Sequence, residues 1–316
     1  MTPTSSIETK TITLGHSPDP DDAFMFYALA SGRIETGPYR FEHILQDIQT
    51  LNERATRGEL DVTAVSIHAY AYLQDRYALL PSGASMGDNY GPMLVQREIP
   101  NLKFQIPKEE GRDEAVREFL KGKRIAIPGT MTSAFLSLQL FLGRKLRQAS
   151  PAGPCACAEE PCYVVVPFDE IFEAVKSGRA DVGLIIHEGQ LTYAAEGFEL
   201  LLDLGRWWFR ETDGLPLPLG GNVIHKRFAP EERKRISDLL TQSIRYSLEH
   251  RQPAVLHSLK YGRGLDEALA DRFVGMYVND LTVDYGDRGR RGITEFLTRA
   301  HAMGLIPHRV ELEFVV

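Results

Sequence analysis

Arg57-Gly58-Glu59-Leu60-Asp61-Val62-Thr63-Ala64-Val65-Ser66 reads as the close of one helix, a glycine turn, and a strand that stops on a hydroxyl. The strand at Asp61 to Val65 is short and largely apolar. Ser66 makes a turn, and Ile67, Tyr70, Ala71 and Leu73 then recur at helical spacing. The stretch is one βα unit. Three further segments share its grammar. Thr11 to Gly15 leads through His16-Ser17-Pro18-Asp19-Pro20-Asp21-Asp22 into a helix carrying Phe24, Met25, Ala28 and Leu29, closed by Gly32. Arg124 to Ile127 turns through Pro128-Gly129-Thr130-Met131-Thr132 into a helix from Ser133 through Phe135, Leu138 and Leu142, and Asp181 to Ile186 runs into His187 and Glu188. Strands this uniformly apolar are covered on both faces, so the expected class is α/β, with mixed sheets between layers of helix.

An internal echo suggests two similar halves. Ser177-Gly178-Arg179-Ala180-Asp181-Val182 repeats the pattern of Arg57 to Val62, ending a helix at glycine and restarting as a strand at Asp-Val. At 316 residues the chain exceeds the usual reach of one hydrophobic core, and two lobes are the default above roughly 250 residues. Gly91-Pro92-Met93-Leu94-Val95-Gln96 reads as a strand crossing to the second lobe. Leu215 to Ile224, with Pro216 and Pro218, reads as the return. The expected division is therefore 11–91 with 222–316 in lobe one and 92–221 in lobe two. Polar insertions are expected near 103–121 and 144–160. From Ala229 onward helices are expected, one opening at Pro230-Glu231-Glu232 and an amphipathic one over Asp266 to Val278.

Composition excludes several classes. The chain is 43% hydrophobic and 25% charged, and no apolar run approaches the roughly 20 residues that span a bilayer. With 36 Lys and Arg against 43 Asp and Glu, and basic residues scattered instead of striped, nucleic acid is not an expected partner. Met1 to Lys10 lacks the apolar core and cleavage site of a signal peptide, so a cytoplasmic location is expected. Cys155, Cys157 and Cys162 are odd in number and crowded into one Ala/Pro/Glu-rich stretch. That pattern argues against a disulfide framework, and zinc binding lacks a local fourth ligand, so a surface insertion is expected.

Ligands in open α/β sheets bind beyond the carboxyl ends of the strands. That rule selects Ser17 with Asp19 to Asp22, then Ser66, then Thr130, Thr132 and Ser133, then His187. Hydroxyls there can cap helices, while free N–H groups attract a carboxylate or phosphate. His187 can serve as a base if one ring nitrogen faces the cleft. The acidic run Asp19, Asp21, Asp22 is read as helix capping, since proline lies among the acids and no metal-loop pattern follows. G-x-x-x-x-G-K-[ST], G-x-G-x-x-G after the first strand and H-E-x-x-H are all absent.

Ser17-Pro18-Asp19-Pro20-Asp21-Asp22-Ala23-Phe24, Leu184-Ile185-Ile186-His187-Glu188 and Gly214-Leu215-Pro216-Leu217-Pro218-Leu219-Gly220 together resemble the 1,4-dihydroxy-6-naphthoate synthase family of the futalosine route to menaquinone. The resemblance covers nearly all the chain. It implies a two-lobed fold like the type II periplasmic binding proteins, and a small anionic substrate, cyclic dehypoxanthinyl futalosine, cleaved without metal or organic cofactor. It also implies that His187 is the proton acceptor and that Ala64-Val65-Ser66 and Thr132-Ser133 contact substrate. Asp19, Asp21 and Ala23 depart from the family pattern S-P-C-P-N-D-T-F and add two acids to the first loop. A solute-binding protein and a chorismate dehydratase of the same pathway remain the alternatives, and oligomeric state is not legible.

Overall fold

The computed structural model describes residues 9–98, 111–149, 155–156, 158–261 and 265–316. Among them, two mixed sheets of six strands each organise the chain. The first sheet takes β1 (Lys10–His16), β2 (Tyr39–Leu45), β3 (Val62–Ser66), β4 (Tyr77–Leu79) and β5 (Ser85–Gly87), with β12 (Leu217–His225) inserted between β3 and β4. β1 lies parallel to β2 and β3, whereas β12 runs antiparallel to β3 with Gly220 opposite Ser66. The second sheet takes β6 (Met93–Arg97), β7 (Arg124–Ile127), β8 (Arg147–Gln148), β9 (Cys162–Val165), β10 (Val182–Ile185) and β11 (Phe198–Asp203). Its order is β11-β6-β10-β7-β9-β8. Here β6 is the inserted strand, antiparallel to both β10 and β11. Each sheet thus receives one strand from beyond a crossing, and the chain passes between the sheets twice.

The internal echo has a physical basis in this topology. Helix α3 (Ile48–Thr56) precedes β3 and helix α7 (Ile171–Lys176) precedes β10. Gly58 and Gly178 follow them at φ values of 71° and 75°, a left-handed conformation that glycine adopts without steric cost. The aspartates that follow do equivalent work. Asp61 accepts the Thr13 N–H of β1 at 2.9 Å, and Asp181 accepts the Arg124 N–H of β7 at 2.8 Å. Each carboxylate satisfies the amide of the parallel strand beside its own.

Helices cover the sheets. The segment expected as one helix after β1 is split into α1 (Pro20–Met25) and α2 (Tyr27–Ala30) at Phe26, whose φ of -98° and ψ of 10° leave the helical region. Phe24, Met25, Phe26 and Tyr27 are all buried, so this segment is packed around most of its circumference. After β3, α4 (Ile67–Tyr70) is a single turn. The helical spacing through Leu73 is continued by i to i+3 bonds instead, such as Leu73 N–H to Tyr70 O at 3.0 Å. Helix α5 (Arg112–Leu120) buries Val116 and Leu120, so the second half of the expected polar insertion at 103–121 is a core-packed helix; residues 99–110 lie outside the described set. Helices α6 (Ser133–Leu142), α8 (Gly189–Thr192) and α9 (Leu204–Glu211) complete the middle of the chain. The C-terminal part is helical as expected: α10 (Pro230–Glu249), α11 (Arg251–Ser258), α12 (Glu267–Tyr277), α13 (Asp280–Val283) and α14 (Gly286–Ala302). No helix among the described residues is long and apolar enough to cross a membrane.

The cysteine expectation is corrected. Cys155 and Cys162 form a disulfide, with Cα atoms 5.5 Å apart. The loop before β9 folds back on that strand's first residue, which brings the two within bridging distance despite the odd count. Cys157 and residues 150–154 of the expected insertion at 144–160 lie outside the described set. Among the described residues no cluster of three metal-ligating side chains forms.

Candidate functional site

A cavity opens between the sheets at the strand ends, with about 800 Å³ of atom-free space, open solvent at its mouth included. Ala64, Val65 and Ser66 at the end of β3 form one wall, with Gly220 and Gly221 beside them on β12. Thr132 and Ser133, at the start of α6, line it as well. All five residues expected to contact substrate therefore line one cavity. Ser17, Asp19, Asp21 and Asp22 of the first loop also line it, as do Ile186 and Gln190 on either side of His187. Thr130 is not among the lining residues.

The hydroxyls differ in what they can offer a ligand. Thr132 Oγ1 donates to Gly129 O at 2.9 Å and accepts the Phe135 N–H at 3.2 Å, so its hydroxyl is spent on capping α6. Ser133 Oγ accepts the His68 N–H at 3.1 Å. Ser66 Oγ accepts from Asn52 Nδ2 at 3.1 Å, while the Ser66 N–H donates to Asn52 Oδ1 at 2.9 Å. Ser66 and Ser133 are thus acceptors toward the protein, which leaves each O–H to act as a donor toward the cavity.

The acidic loop does not cap α1, contrary to the expectation. Asp19 occupies the N-cap position, yet its side chain makes no capping bond; instead Ser17 Oγ donates to Asp19 Oδ2. Asp22 is buried and accepts the Ser17 N–H at 2.7 Å. Burial pushes its carboxyl up to about 7, with the Ser17 bond opposing and Asp19 reinforcing the rise. Burial, then Asp22 and Asp19, push Asp21 well above the usual carboxylate range. Two acids that would repel an anion in their charged form are in this way held toward neutrality.

His187 is buried but is not among the residues lining the cavity. Its Nδ1 accepts the Gly189 N–H at 2.9 Å, and its ring meets Phe168 and Phe172 edge to face at centroid distances of 5.6 and 6.0 Å. Glu188 Oε2 lies 3.9 Å from Nδ1. A neutral imidazole that accepts at Nδ1 carries its hydrogen on Nε2.

Four participants escape a sequence reading. Tyr277 and Gln190 line the cavity from α12 and α8, and the Tyr277 hydroxyl donates to Gln190 Oε1. Gln190 Nε2 in turn donates to Gly91 O at 2.8 Å, on the first crossing between the sheets. Asn52 and His68 stand behind the two serines. Asn52 carried a legible signal: it is a polar residue beside Leu51 and near Ala55 on the buried face of α3. His68 carried none, because its role depends on its backbone N–H and on Nδ1 donating to Thr132 O at 3.2 Å.

Two sheets, each with an interposed strand and a ligand-sized cavity between them, define a two-lobed α/β fold of the periplasmic-binding-protein type. The alkanesulfonate-binding protein SsuA of Xanthomonas axonopodis pv. citri, bound to MOPS, shares it with a TM-score of 0.65 at 15% identity, over 96% of this chain and 97% of that one. Within that class the chain belongs to the menaquinone biosynthesis family, whose model matches residues 12–302. A 1,4-dihydroxy-6-naphthoate synthase of Streptomyces coelicolor is 34% identical over 297 residues, 94% of this chain and 95% of the relative. The crystal structure of protein AF1704 from Archaeoglobus fulgidus has a TM-score of 0.79 at 39% identity, covering 94% of this chain and 98% of that one.

Proposed function

We propose that the chain is a cofactor-free carbon–carbon lyase that converts cyclic dehypoxanthinyl futalosine to 1,4-dihydroxy-6-naphthoate in menaquinone biosynthesis. The reading rests on one observation above the others: a cavity lined by two serines, Ser66 and Ser133, whose hydroxyl oxygens accept from the protein, which leaves each O–H available to donate to a ligand. Donors of that kind suit the carboxylate of an anionic bicycle. The relatives' names and the family's role support the same reaction.

In this reading Ser66 and Ser133 hold the substrate carboxylate, Ala64, Val65 and Thr132 shape the pocket, and His187 is the general base. Base action at Nε2 requires its hydrogen to be given up and Nδ1 to carry one, which exchanges the Gly189 bond for a ring turned toward the substrate. Lobe one (expected as 11–91 and 222–316) and lobe two (expected as 92–221) close over the ligand about the two crossings and bring His187 to the cavity. The second boundary moves to Leu217, where β12 joins the first sheet. Proton removal starts the fragmentation, and formation of the aromatic ring drives it. The enzyme acts in the cytoplasm on a small anionic organic molecule.

Incubation of the purified protein with cyclic dehypoxanthinyl futalosine and, separately, with chorismate, with products read by mass, tests this directly. Release of 1,4-dihydroxy-6-naphthoate is expected. Conversion of chorismate would assign the dehydratase reaction instead, and tight binding of an anion without any turnover would leave a solute-binding role.

A further inference from the structure

The Asn52 side chain is fully buried and holds three groups at once. Its Oδ1 accepts the Ser66 N–H at 2.9 Å. Its Nδ2 donates to Ser66 Oγ at 3.1 Å and to the carbonyl of Met131 at 3.5 Å, in the turn before α6. The orientation of the amide is not a free choice. A backbone N–H can only donate and a backbone carbonyl can only accept, so both neighbours force the same assignment of oxygen and nitrogen. Ser66 Oγ then has no option but to accept from Nδ2, and its hydrogen is turned toward the cavity. Gln49, one turn earlier on the same helix, accepts the Met131 N–H at 3.1 Å. Helix α3 of the first sheet therefore grips both backbone groups of Met131 on the second.

We propose that Asn52 is a positioning residue that sets Ser66 as a hydrogen-bond donor to the anionic ligand and ties that donor to the opposing turn at Met131. It acts through Ser66 and does not touch the substrate. The inference rests on the reading of the cavity as an anion site but adds a residue and a polarity to it.

Asn52→Asp reverses the polarity with little change of shape. Oδ1 still accepts the Ser66 N–H, but the second oxygen draws the Ser66 hydrogen away from the cavity and faces the Met131 carbonyl without a proton. Loss of one donor to a charged group is expected to weaken binding of 1,4-dihydroxy-6-naphthoate about 10- to 100-fold by calorimetry, and to raise KM far more than it lowers kcat. A general effect of the added charge is separated by repeating the substitution in Ser66→Ala. If Asn52 acts through Ser66, most of the fold-loss disappears there; the same fold-loss in both backgrounds overturns the proposal, as does wild-type affinity in Asn52→Asp. Asn52→Ala, which adds no charge, replaces the aspartate variant if that fails to fold.

A readout without ligand keeps the inference separate from the proposed reaction. In Asn52→Asp the Ser66 hydroxyl donates to a buried carboxylate, so Ser66→Ala should lower the melting temperature by about 2 °C or more beyond its effect in the wild type. Equal effects overturn the positioning role whatever the substrate proves to be. If the variants show this coupling but the wild-type protein neither binds nor converts the naphthoate compounds, the reaction is overturned while the hold of Asn52 on the Ser66 hydroxyl stands.

Discussion

The hydroxyl of Tyr277 on α12 donates to Oε1 of Gln190 on α8, joining the C-terminal helices to the turn that follows His187. Both residues line the cavity, and the same glutamine amide donates to Gly91 O at 2.8 Å. One side chain thus links a cavity wall, the His187 turn and a crossing between the sheets. Burial pushes the Tyr277 phenol well above its ordinary value, so it remains a donor across the working pH range.

Tyr277→Phe keeps the ring against Tyr90 and Phe273 and removes only that donor. A neutral bond of this kind contributes about 0.5 to 1.5 kcal/mol, which corresponds to a loss of affinity of roughly 2- to 10-fold. The expected result is a raised KM with kcat near wild type, measured by steady-state kinetics. An unchanged KM would mean that the link does not favour the ligand-bound arrangement.

The acidic loop should make stability fall as pH rises. Asp22 titrates near 7 in the folded protein against an ordinary value of 3.8, so the folded chain binds this proton more tightly than the unfolded chain does. Its contribution is most favourable below about 4 and is lost progressively as pH rises through about 7. Asp22→Asn preserves an acceptor for the Ser17 N–H and removes the titration. Melting curves at pH 5 and pH 8 should show the variant gaining on the wild type at the higher pH, by an amount on the order of 1 kcal/mol or more. A wild type whose relative stability rises between those values would contradict the burial argument.

Thr132 and Ser133 are neighbours with separable roles. Thr132→Ala removes the cap of α6 and should cost about 1 kcal/mol of stability, with kcat and KM largely kept and Thr132→Ser restoring the loss. Ser133→Ala leaves the capping bond intact and should act mainly on KM. Thermal unfolding alongside steady-state kinetics distinguishes the two. Equal loss of activity in both variants would return Thr132 to direct ligand contact.

How legible the site was depends on where each residue's information lies. Ser66, Thr132 and Ser133 follow apolar strands and open helices, and that local syntax marks them in one dimension. Strand β2 was not anticipated: Tyr39 to Leu45 mixes charged and apolar residues at the edge of the sheet, where only part of the strand is buried. The acidic loop was legible as composition but not as environment, because the burial that shifts Asp21 and Asp22 comes from distant helices, including α11 and α12 packed on α1. Tyr277 lies 87 residues from Gln190, and only the fold brings the pair together. The disulfide was hidden for another reason: Cys155 and Cys162 are near in sequence, but three crowded cysteines do not show which two pair, and the odd count argued against a bridge.

His187→Asn tests the base. The Nδ1 of His187 serves as an acceptor for the Gly189 N–H at 2.9 Å, and an asparagine Oδ1 can take over that function, so the turn into α8 should stay intact. The serine donors lie on other elements, and binding of 1,4-dihydroxy-6-naphthoate should remain close to wild type. What asparagine cannot do is accept a proton near neutral pH. Loss of a positioned general base typically lowers the rate by roughly 100- to 10,000-fold, or about 3 to 5 kcal/mol of barrier. Single-turnover kinetics with saturating enzyme should therefore show a slowed chemical step, while calorimetry shows preserved affinity. Conversion of bound substrate at the wild-type rate would remove His187 from the chemistry and point to another group reaching the cavity. Loss of affinity with an unchanged bound-state rate would instead assign His187 to holding the α8 turn.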